Sequence, residues 1–147
     1  MTLDSTDKLP ATQDTLIFLR SLLDANPTLA LAYNGDNKSF LINEVAADSL
    51  GLAHGTYCVK ETELLVKLTH IDDHCALAPE ETPWMKVWQG EILNNIELEL
   101  HIPNKKLMVV LCSGKLLLDP QSKTPLAAIV TMTDITLQHE NQTQLEK

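Results

Sequence analysis

The sequence predicts an α+β domain, built as an antiparallel sheet of about five strands with helices crossing one face. Helical and extended segments follow one another in the order helix, two strands, helices and then three strands. The extended segments alternate between apolar and polar residues, which is typical of antiparallel strands that expose one face to water. With 147 residues, 44% of them hydrophobic, the chain has the length of one domain and can bury a core without disulfide bonds.

Composition and charge exclude several classes of protein. The formal net charge of −9 argues against a nucleic-acid partner and against direct contact with an anionic membrane. No apolar run approaches the roughly 18 residues of a membrane-spanning helix, and the start of the chain does not resemble a secretory signal. The three cysteines, Cys58, Cys75 and Cys112, lie far apart, as in reduced intracellular proteins, so we expect a cytoplasmic location.

The first residues divide into an arm and a helix. Residues 1–13 are polar and are expected to form a flexible N-terminal arm. Residues 14–26 are expected to form a flanking helix that ends before a proline, because Leu16, Leu19 and Leu23 recur at helical spacing. This apolar stripe either packs on the core or makes a helix–helix contact between two copies, and both can hold at once. We expect the three leucines to contribute to a homodimer contact.

The next segments predict a β-hairpin followed by a short helix. Asn34-Gly35 lies between two extended stretches, and both residue types tolerate the positive φ angles of tight hairpin turns. Asn43 is the expected N-cap of the helix, which ends at Gly51. The residues expected to form its packed face are Ala46, Ala47 and Leu50.

The middle of the chain, residues 52–82, is less regular. Residues 61–68 are compatible with one or two helical turns, and Pro79 excludes a long helix. A clearer helix follows, with Thr82 as its expected N-cap, Pro83 in its first position and a glycine at its end.

Three strands are predicted in the last third of the chain. Residues 92–102 alternate, so their polar side chains are expected on a face exposed to water. Residues 105–119 are apolar on both faces, as in a central strand, and Gly114 predicts a bulge or bend within it. Residues 126–135 are the last strand. The polar side chains of the first of these strands are Glu97, Glu99 and His101.

Three stretches resemble, in their order and spacing, the sequence pattern of the PAS domain, the sensory box of bacterial signalling proteins. Residues 22–52 resemble its opening helix, hairpin and second helix. Residues 87–91 resemble the helix end before its third strand, and residues 116–136 resemble its closing hairpin. That hairpin ends in Asp134-Ile135-Thr136, which matches the terminal Asp-Ile-Thr motif of the family. The resemblance implies a PAS sensory domain over residues 27–136, with its five strands in the order 2-1-5-4-3.

The resemblance also implies a function. In PAS proteins the Asp-Ile-Thr motif marks the exit from the last strand into a helix that carries the signal onward, so Asp134, Ile135 and Thr136 are the expected signal-transmission residues. Residues 137–147 are then the start of a linker helix toward an output domain in the same chain, a diguanylate cyclase or a sensor histidine kinase. The module itself is expected to bind a small ligand or a partner, to form a homodimer and to catalyse nothing. The alternatives are a ligand-free dimerisation module and a small α+β enzyme.

Few residues suggest a cofactor site or a catalytic site. His70 and His74 share a face only if the loop between them is helical, and the sequence offers no second pair of metal ligands, so we expect no metal. His70, His74 and His101 are also the candidates for a haem ligand. The residues around Cys58 do not resemble the motif of flavin-binding light sensors. We therefore expect no cofactor and no catalytic residue.

Overall fold

The structure, a computed structural model, confirms the predicted α+β class. It describes residues 20–25, 28–53, 58–64 and 66–145. The predicted arm and two residues of the predicted dimer contact, Leu16 and Leu19, lie outside these residues.

Besides the helical residues 20–24, the described residues form seven strands and three α-helices. The strands are β1 Leu29–Asn34, β2 Ser39–Ile42, β3 Cys58–Lys60, β4 Lys67–His70, β5 Leu93–His101, β6 Met108–Leu118 and β7 Pro125–Asp134. The α-helices are α1 Glu44–Ser49, α2 Pro83–Trp88 and α3 Thr136–Leu145, and Glu61–Glu63 and Pro79–Glu81 are short 3-10 turns. The strands make one antiparallel sheet in the order β3-β2-β1-β7-β6-β5-β4.

The strand order confirms one prediction and corrects another. The five predicted strands are β1, β2, β5, β6 and β7, and they lie in the order 2-1-5-4-3 that the resemblance implies. The predicted number of strands was too low, because β3 and β4 extend the sheet at its two edges. Strand β4 includes part of the 61–68 stretch that was compatible with helical turns. With only 3 and 4 residues, these edge strands are too short to show an alternating pattern.

The β1–β2 hairpin forms as predicted, although its turn works differently. The side-chain oxygen of Asn34 accepts hydrogen bonds from the backbone N–H groups of Asp36 and Asn37, at 2.8 and 3.2 Å. Lys38, with φ of 53°, takes the left-handed conformation. Gly35 is needed for another reason, because a Cβ there would overlap the indole ring of Trp88.

One face of the sheet, here called the core face, is covered by α1 and α2. Helix α1 packs through small alanines, whereas α2 contributes Trp84 and Val87. The ring centroid of Phe40 lies 4.8 Å from that of Tyr33 and 5.2 Å from that of Trp84. Aromatic pairs of this kind contribute about 0.5–1.5 kcal/mol beyond their buried area, so this cluster fixes α2 on the sheet.

Gly114 lies in β6 directly beneath α2. A Cβ at this position would be 2.7 Å from Cγ2 of Val87, so glycine allows the helix to approach the strand. The predicted bulge is found next to Gly114, but the extra residue belongs to β5. There Asn95 adopts a φ of 53° and donates its backbone N–H to the hydroxyl of Ser113.

The opposite face of the sheet, here called the outer face, buries a smaller apolar cluster. Leu23, from the helical residues 20–24, is 2% exposed and packs with small side chains of β1 and β7. Of the two roles considered for the leucine stripe, Leu23 therefore has the first, because it packs on the sheet of its own chain. The homodimer contact of the leucine stripe stays a prediction.

Asn43 is the N-cap of α1, as predicted, and it does more than cap. Its side-chain oxygen accepts from the backbone N–H groups of Ala46 and Ala30, at 2.9 and 3.1 Å. Its amide nitrogen donates to the carbonyl oxygens of Leu23 and Thr28, at 3.0 and 2.7 Å. One buried side chain therefore joins α1, β1 and the end of the N-terminal helical segment.

The predicted capping of α2 by Thr82 is wrong at the level of the side chain. Pro83 occupies the first position of the helix, as predicted, but the Thr82 side chain accepts no capping hydrogen bond. Its hydroxyl instead donates to the carbonyl oxygen of Pro79, at 2.9 Å, because a 3-10 turn directly precedes the helix.

Candidate functional site

The predicted signal-transmission residues form a compact corner between β7 and α3. The carboxylate of Asp134 accepts hydrogen bonds from the backbone N–H of Thr136, at 3.0 Å, and from its hydroxyl, at 2.5 Å. The carbonyl oxygen of Ile135 then accepts the first helical hydrogen bond, from the N–H of His139 at 2.8 Å. A carboxylate at this end of a helix is favourable, since the helix N-terminus carries a partial positive charge.

Strand β6 holds this corner through the backbone of Val109. The N–H of Val109 donates to the hydroxyl oxygen of Thr136 at 2.9 Å, and its carbonyl oxygen accepts from the N–H of Ile135 at 2.8 Å. The hydroxyl of Thr136 thus donates to Asp134 and accepts from Val109. The first turn of α3 is therefore tied to the neighbouring strand as well as to its own.

Sequence reasoning found the three corner residues but missed Val109. Both of its hydrogen bonds use backbone atoms, so its residue type carries no signal of the role. The predicted strand order places the last strand beside a central strand. It does not give the register, so it could not identify Val109 as the residue that contacts the corner.

A second polar site lies on the outer face at the β4–β5 edge. It consists of Glu99, Thr69, His74 and His101, here called the Glu99 cluster. The carboxylate of Glu99 accepts from the Thr69 hydroxyl at 2.7 Å and contacts Nδ1 of His74 at 2.8 Å. Nε2 of His101 lies 2.9 Å from the same hydroxyl.

The burial of Glu99 corrects the prediction that its strand face is exposed to water, since Glu99 is only 4% exposed. Thr69 of β4 pairs with Glu99 of β5. The turn that follows β4 at the edge of the sheet places His74 in contact with the carboxylate of Glu99. His74 has a φ of 60°, and its backbone N–H donates to the carbonyl oxygen of His70. Alternation along one strand does not reveal what packs over it, so this burial could not be predicted.

The charges of the Glu99 cluster shift two pKa values in opposite directions. Burial alone would raise the pKa of Glu99, but hydrogen bonds from Thr69 and His74, and the nearby imidazole charges, outweigh it and lower that pKa. The hydrogen bond and the charge of Glu99 raise the pKa of His74, although the side chain of His74 is 70% exposed. The pair is therefore an ion pair at mildly acidic pH.

The two histidines considered as metal ligands face different carboxylates. Nε2 of His70 lies 3.5 Å from Glu81, in a half-exposed pair, while His74 contacts Glu99. Over the part of the chain that the structure describes, no three His, Cys, Asp or Glu side chains are placed to hold a metal ion.

Two further titratable groups are buried on the core face. The hydroxyl of Tyr33 donates to Glu61 at 2.9 Å, and burial together with this carboxylate raises the pKa of Tyr33. Burial raises the pKa of the Cys112 thiol to about 12. Both groups are neutral near pH 7, so they act as a hydrogen-bond donor and an apolar side chain.

Comparison with solved structures defines the class of this fold. The PAS domain of BvgS from Bordetella pertussis aligns with a TM-score of 0.50 at 15% identity, covering 89% of this chain and 94% of that chain. The sensory box histidine kinase/response regulator of Burkholderia thailandensis E264 aligns with a TM-score of 0.53 at 11% identity, covering 89% and 92%. This chain has the fold of a PAS domain, as the sequence resemblance implied.

Comparisons at the level of sequence add no further relative. No family model matches the chain, and no curated protein matches it. Within the described residues, no helix is both long enough and apolar enough to cross a membrane.

Proposed function

We propose that this chain is the sensory module of a multidomain signal-transduction protein. It receives a small ligand or a partner and transmits the resulting packing change through Asp134-Ile135-Thr136 into α3. Beyond α3 the signal reaches an output domain in the same chain, a histidine kinase or a diguanylate cyclase. The module itself catalyses nothing. The observation that carries this proposal is the bonding of both Ile135 and Thr136 to the backbone of Val109.

The attachment of α3 suits a transmitting helix. Its described residues, Thr136–Leu145, are mostly polar, whereas most helices in proteins owe their stability to the packing of an apolar face. Leu137 in its first turn is 67% exposed, so this side chain contributes little packing. The helical population of α3 therefore depends strongly on the hydrogen bonds at its first turn, and a shift of β6 against β7 changes those hydrogen bonds.

The core face offers a route from the input to this corner. Trp88 of α2 packs edge-on against Tyr33, with ring centroids 6.3 Å apart. Tyr33 lies in β1 and pairs with Ala128 of β7, the strand that ends at Asp134. A ligand or partner that displaces α2 thus acts on the strand leading into the corner.

We also propose that the module works as a homodimer through its flanking helix. Support comes from the leucine stripe and from Leu22, which is 49% exposed beside the buried Leu23. A dimer would place two copies of the corner in one assembly, as two-fold symmetric proteins do.

The test compares two aspartates at opposite ends of the β6–β7 hairpin. Asp134 accepts two hydrogen bonds at the corner, and Asp119 accepts from the N–H groups of Gln121 and Ser122 in the turn. Replacing Asp134 by alanine in the full-length protein is expected to change output activity or its ligand response. The domain melting temperature should fall by about 8 °C or less, since a lost cap costs about 0.5–2 kcal/mol of the roughly 5–15 kcal/mol of domain stability.

The matched control is Asp119→Ala, which removes similar hydrogen bonds far from α3 and should leave output unchanged. Autophosphorylation or cyclic dinucleotide synthesis is measured, according to the output domain present. Unchanged output in Asp134→Ala, at unchanged stability, would show that the corner is only a chain exit. Equal changes in both variants would show that loss of hairpin stability explains the effect.

A further inference from the structure

Val109 of β6 lies between the Glu99 cluster and the corner and contacts both. In the β5–β6 register, Glu99 lies directly opposite Val109. Both backbone polar groups of Val109 bond to Ile135 and Thr136, so they point away from β5. The Glu99–Val109 pair is then of the non-hydrogen-bonded type, whose Cα atoms are about 4.5 Å apart and whose side chains make the closest cross-strand contact. A displacement of Glu99 therefore acts directly on the strand position that holds the corner.

The charged and titratable groups around Glu99 come from two strands and one turn. Strand β4 places Lys67 opposite His101, and the turn adds His74 with Asp73 beside it. Strand β6 presents apolar side chains here, with Val109 opposite Glu99 and Leu111 opposite Glu97. The charged and titratable groups around Glu99 are Glu97, His101, Lys67, Asp73 and His74.

We propose that the Glu99 cluster is a proton-operated switch of the exit corner. When His74 is protonated, its ion pair with Glu99 holds the turn against the outer face and fixes β5 beside Val109. Loss of that proton removes the charge partner of a buried carboxylate, loosens the turn and shifts β5 against β6. This proposal rests on the proposed role of the corner in signalling. It adds that pH is one of the signals that change the conformation of the corner.

The pH window follows from the direction of each shift. The pKa of His74 is raised above its ordinary 6.5, so its contribution is complete below pH 6.5 and is lost as pH rises through the raised value. The pKa of Glu99 is lowered below its ordinary 4.5, so its contribution is complete above pH 4.5 and is lost as pH falls through the lowered value. The ion pair is thus intact between pH 4.5 and 6.5 and opens toward neutral or alkaline pH.

The test is a nuclear magnetic resonance titration of the whole 147-residue chain from about pH 5 to about pH 9. The ring of His74 and the backbone amides of Val109, Ile135 and Thr136 are followed together. Because His139 lies one turn into α3, the titration is done in a His139→Gln background, so that His74 is followed without a histidine in the first turn of that helix. The corner amides are expected to titrate with the midpoint of His74, above pH 6.5.

Two variants and one control make the outcome decisive. His74→Gln should abolish the transition at the corner amides, and because the side chain of His74 is 70% exposed, the domain should stay folded. Glu99→Gln keeps the shape of the side chain and should move the His74 midpoint down toward 6.5. His70→Gln, which removes a histidine of the same turn paired with Glu81, should leave the corner transition in place.

Corner amides that stay unchanged while His74 titrates would overturn the proposal, as would a transition that survives in His74→Gln. The titration tests only the proton switch. The role of the corner in signalling is tested separately, by the output activity of Asp134→Ala. A coupled titration with unchanged output in Asp134→Ala would leave the proton switch standing and remove the transmission role.

Discussion

Replacing Asn43 by alanine is expected to lower the free energy of unfolding by about 3–5 kcal/mol. Asn43 is 1% exposed, so water does not readily replace the groups that the substitution removes. Loss of the N-cap of α1 accounts for about 0.5–2 kcal/mol. The N–H of Ala30 and the carbonyl oxygens of Leu23 and Thr28 also lose their side-chain partner. The bonds to Ala30 and Leu23 are buried, so each of these two groups costs about 1–3 kcal/mol when left unsatisfied, whereas the bond to Thr28 is only part-buried. Partial relaxation keeps the sum below the maximum.

Chemical denaturation followed by circular dichroism measures this change, together with a fall in melting temperature of about 6–20 °C. Asn43→Ser separates the two roles of the side chain. Its hydroxyl can still cap α1, but it cannot reach both carbonyl oxygens, so an intermediate loss is expected. Asn37→Ala is the matched control, because Asn37 bonds only within the exposed hairpin turn, and it should change stability by less than about 1 kcal/mol.

A loss below about 1 kcal/mol for Asn43→Ala would refute this reasoning, since that value is within the range of an ordinary cap. A serine variant as unstable as the alanine variant would also contradict it, because the amide donors alone would then carry the whole effect. Amide hydrogen exchange over residues 20–25 adds an independent check. These amides should exchange faster in both variants, since both lose the bond to Leu23.

Two further predictions concern packing and assembly. Gly35→Ala should destabilise the domain by about 1–3 kcal/mol, because its Cβ would overlap the indole of Trp88. The loss should be smaller in a Trp88→Leu background. Strictly additive losses in the double variant would contradict the overlap. Leu19→Asp should weaken self-association in light scattering with the sheet intact, whereas Ile92→Asp, at an exposed apolar position, should not. A wild-type chain that stays monomeric at high concentration would remove the dimer prediction.

The parts of this fold that the sequence predicted are those encoded by local chemistry. Asn43 was identified because a polar side chain before an apolar helical pattern is a cap signal, and α1 begins there. Pro83 marked the start of α2 for the same kind of reason. The order of the five predicted strands came from the PAS resemblance, since single-sequence patterns give strands but not their neighbours.

The parts that the sequence did not predict depend on contacts between distant segments. The Glu99 side chain alternates like a solvent-facing residue, and only the return of the chain after β4 buries it. Gly114 was interpreted as the sign of a bulge or bend, and a bulge lies beside it in β5, but its close approach to Val87 of α2 was not predicted. Val109 acts through backbone atoms that every residue has. In each case the deciding partner lies at least 25 residues away, beyond the reach of local patterns.

The placement of the two tryptophans makes tryptophan fluorescence a reporter of the core face of the sheet. The chain has two tryptophans, and both belong to α2, where Trp84 contacts Phe40 and Trp88 contacts Tyr33. Intrinsic emission therefore reports on the core face, where a ligand or partner is proposed to act. The Glu99 cluster and the β7–α3 corner contain no fluorophore, so events there are optically silent unless they reach α2. If emission and output activity are measured in one titration, emission reports the change at α2 and output activity reports the change transmitted through the corner.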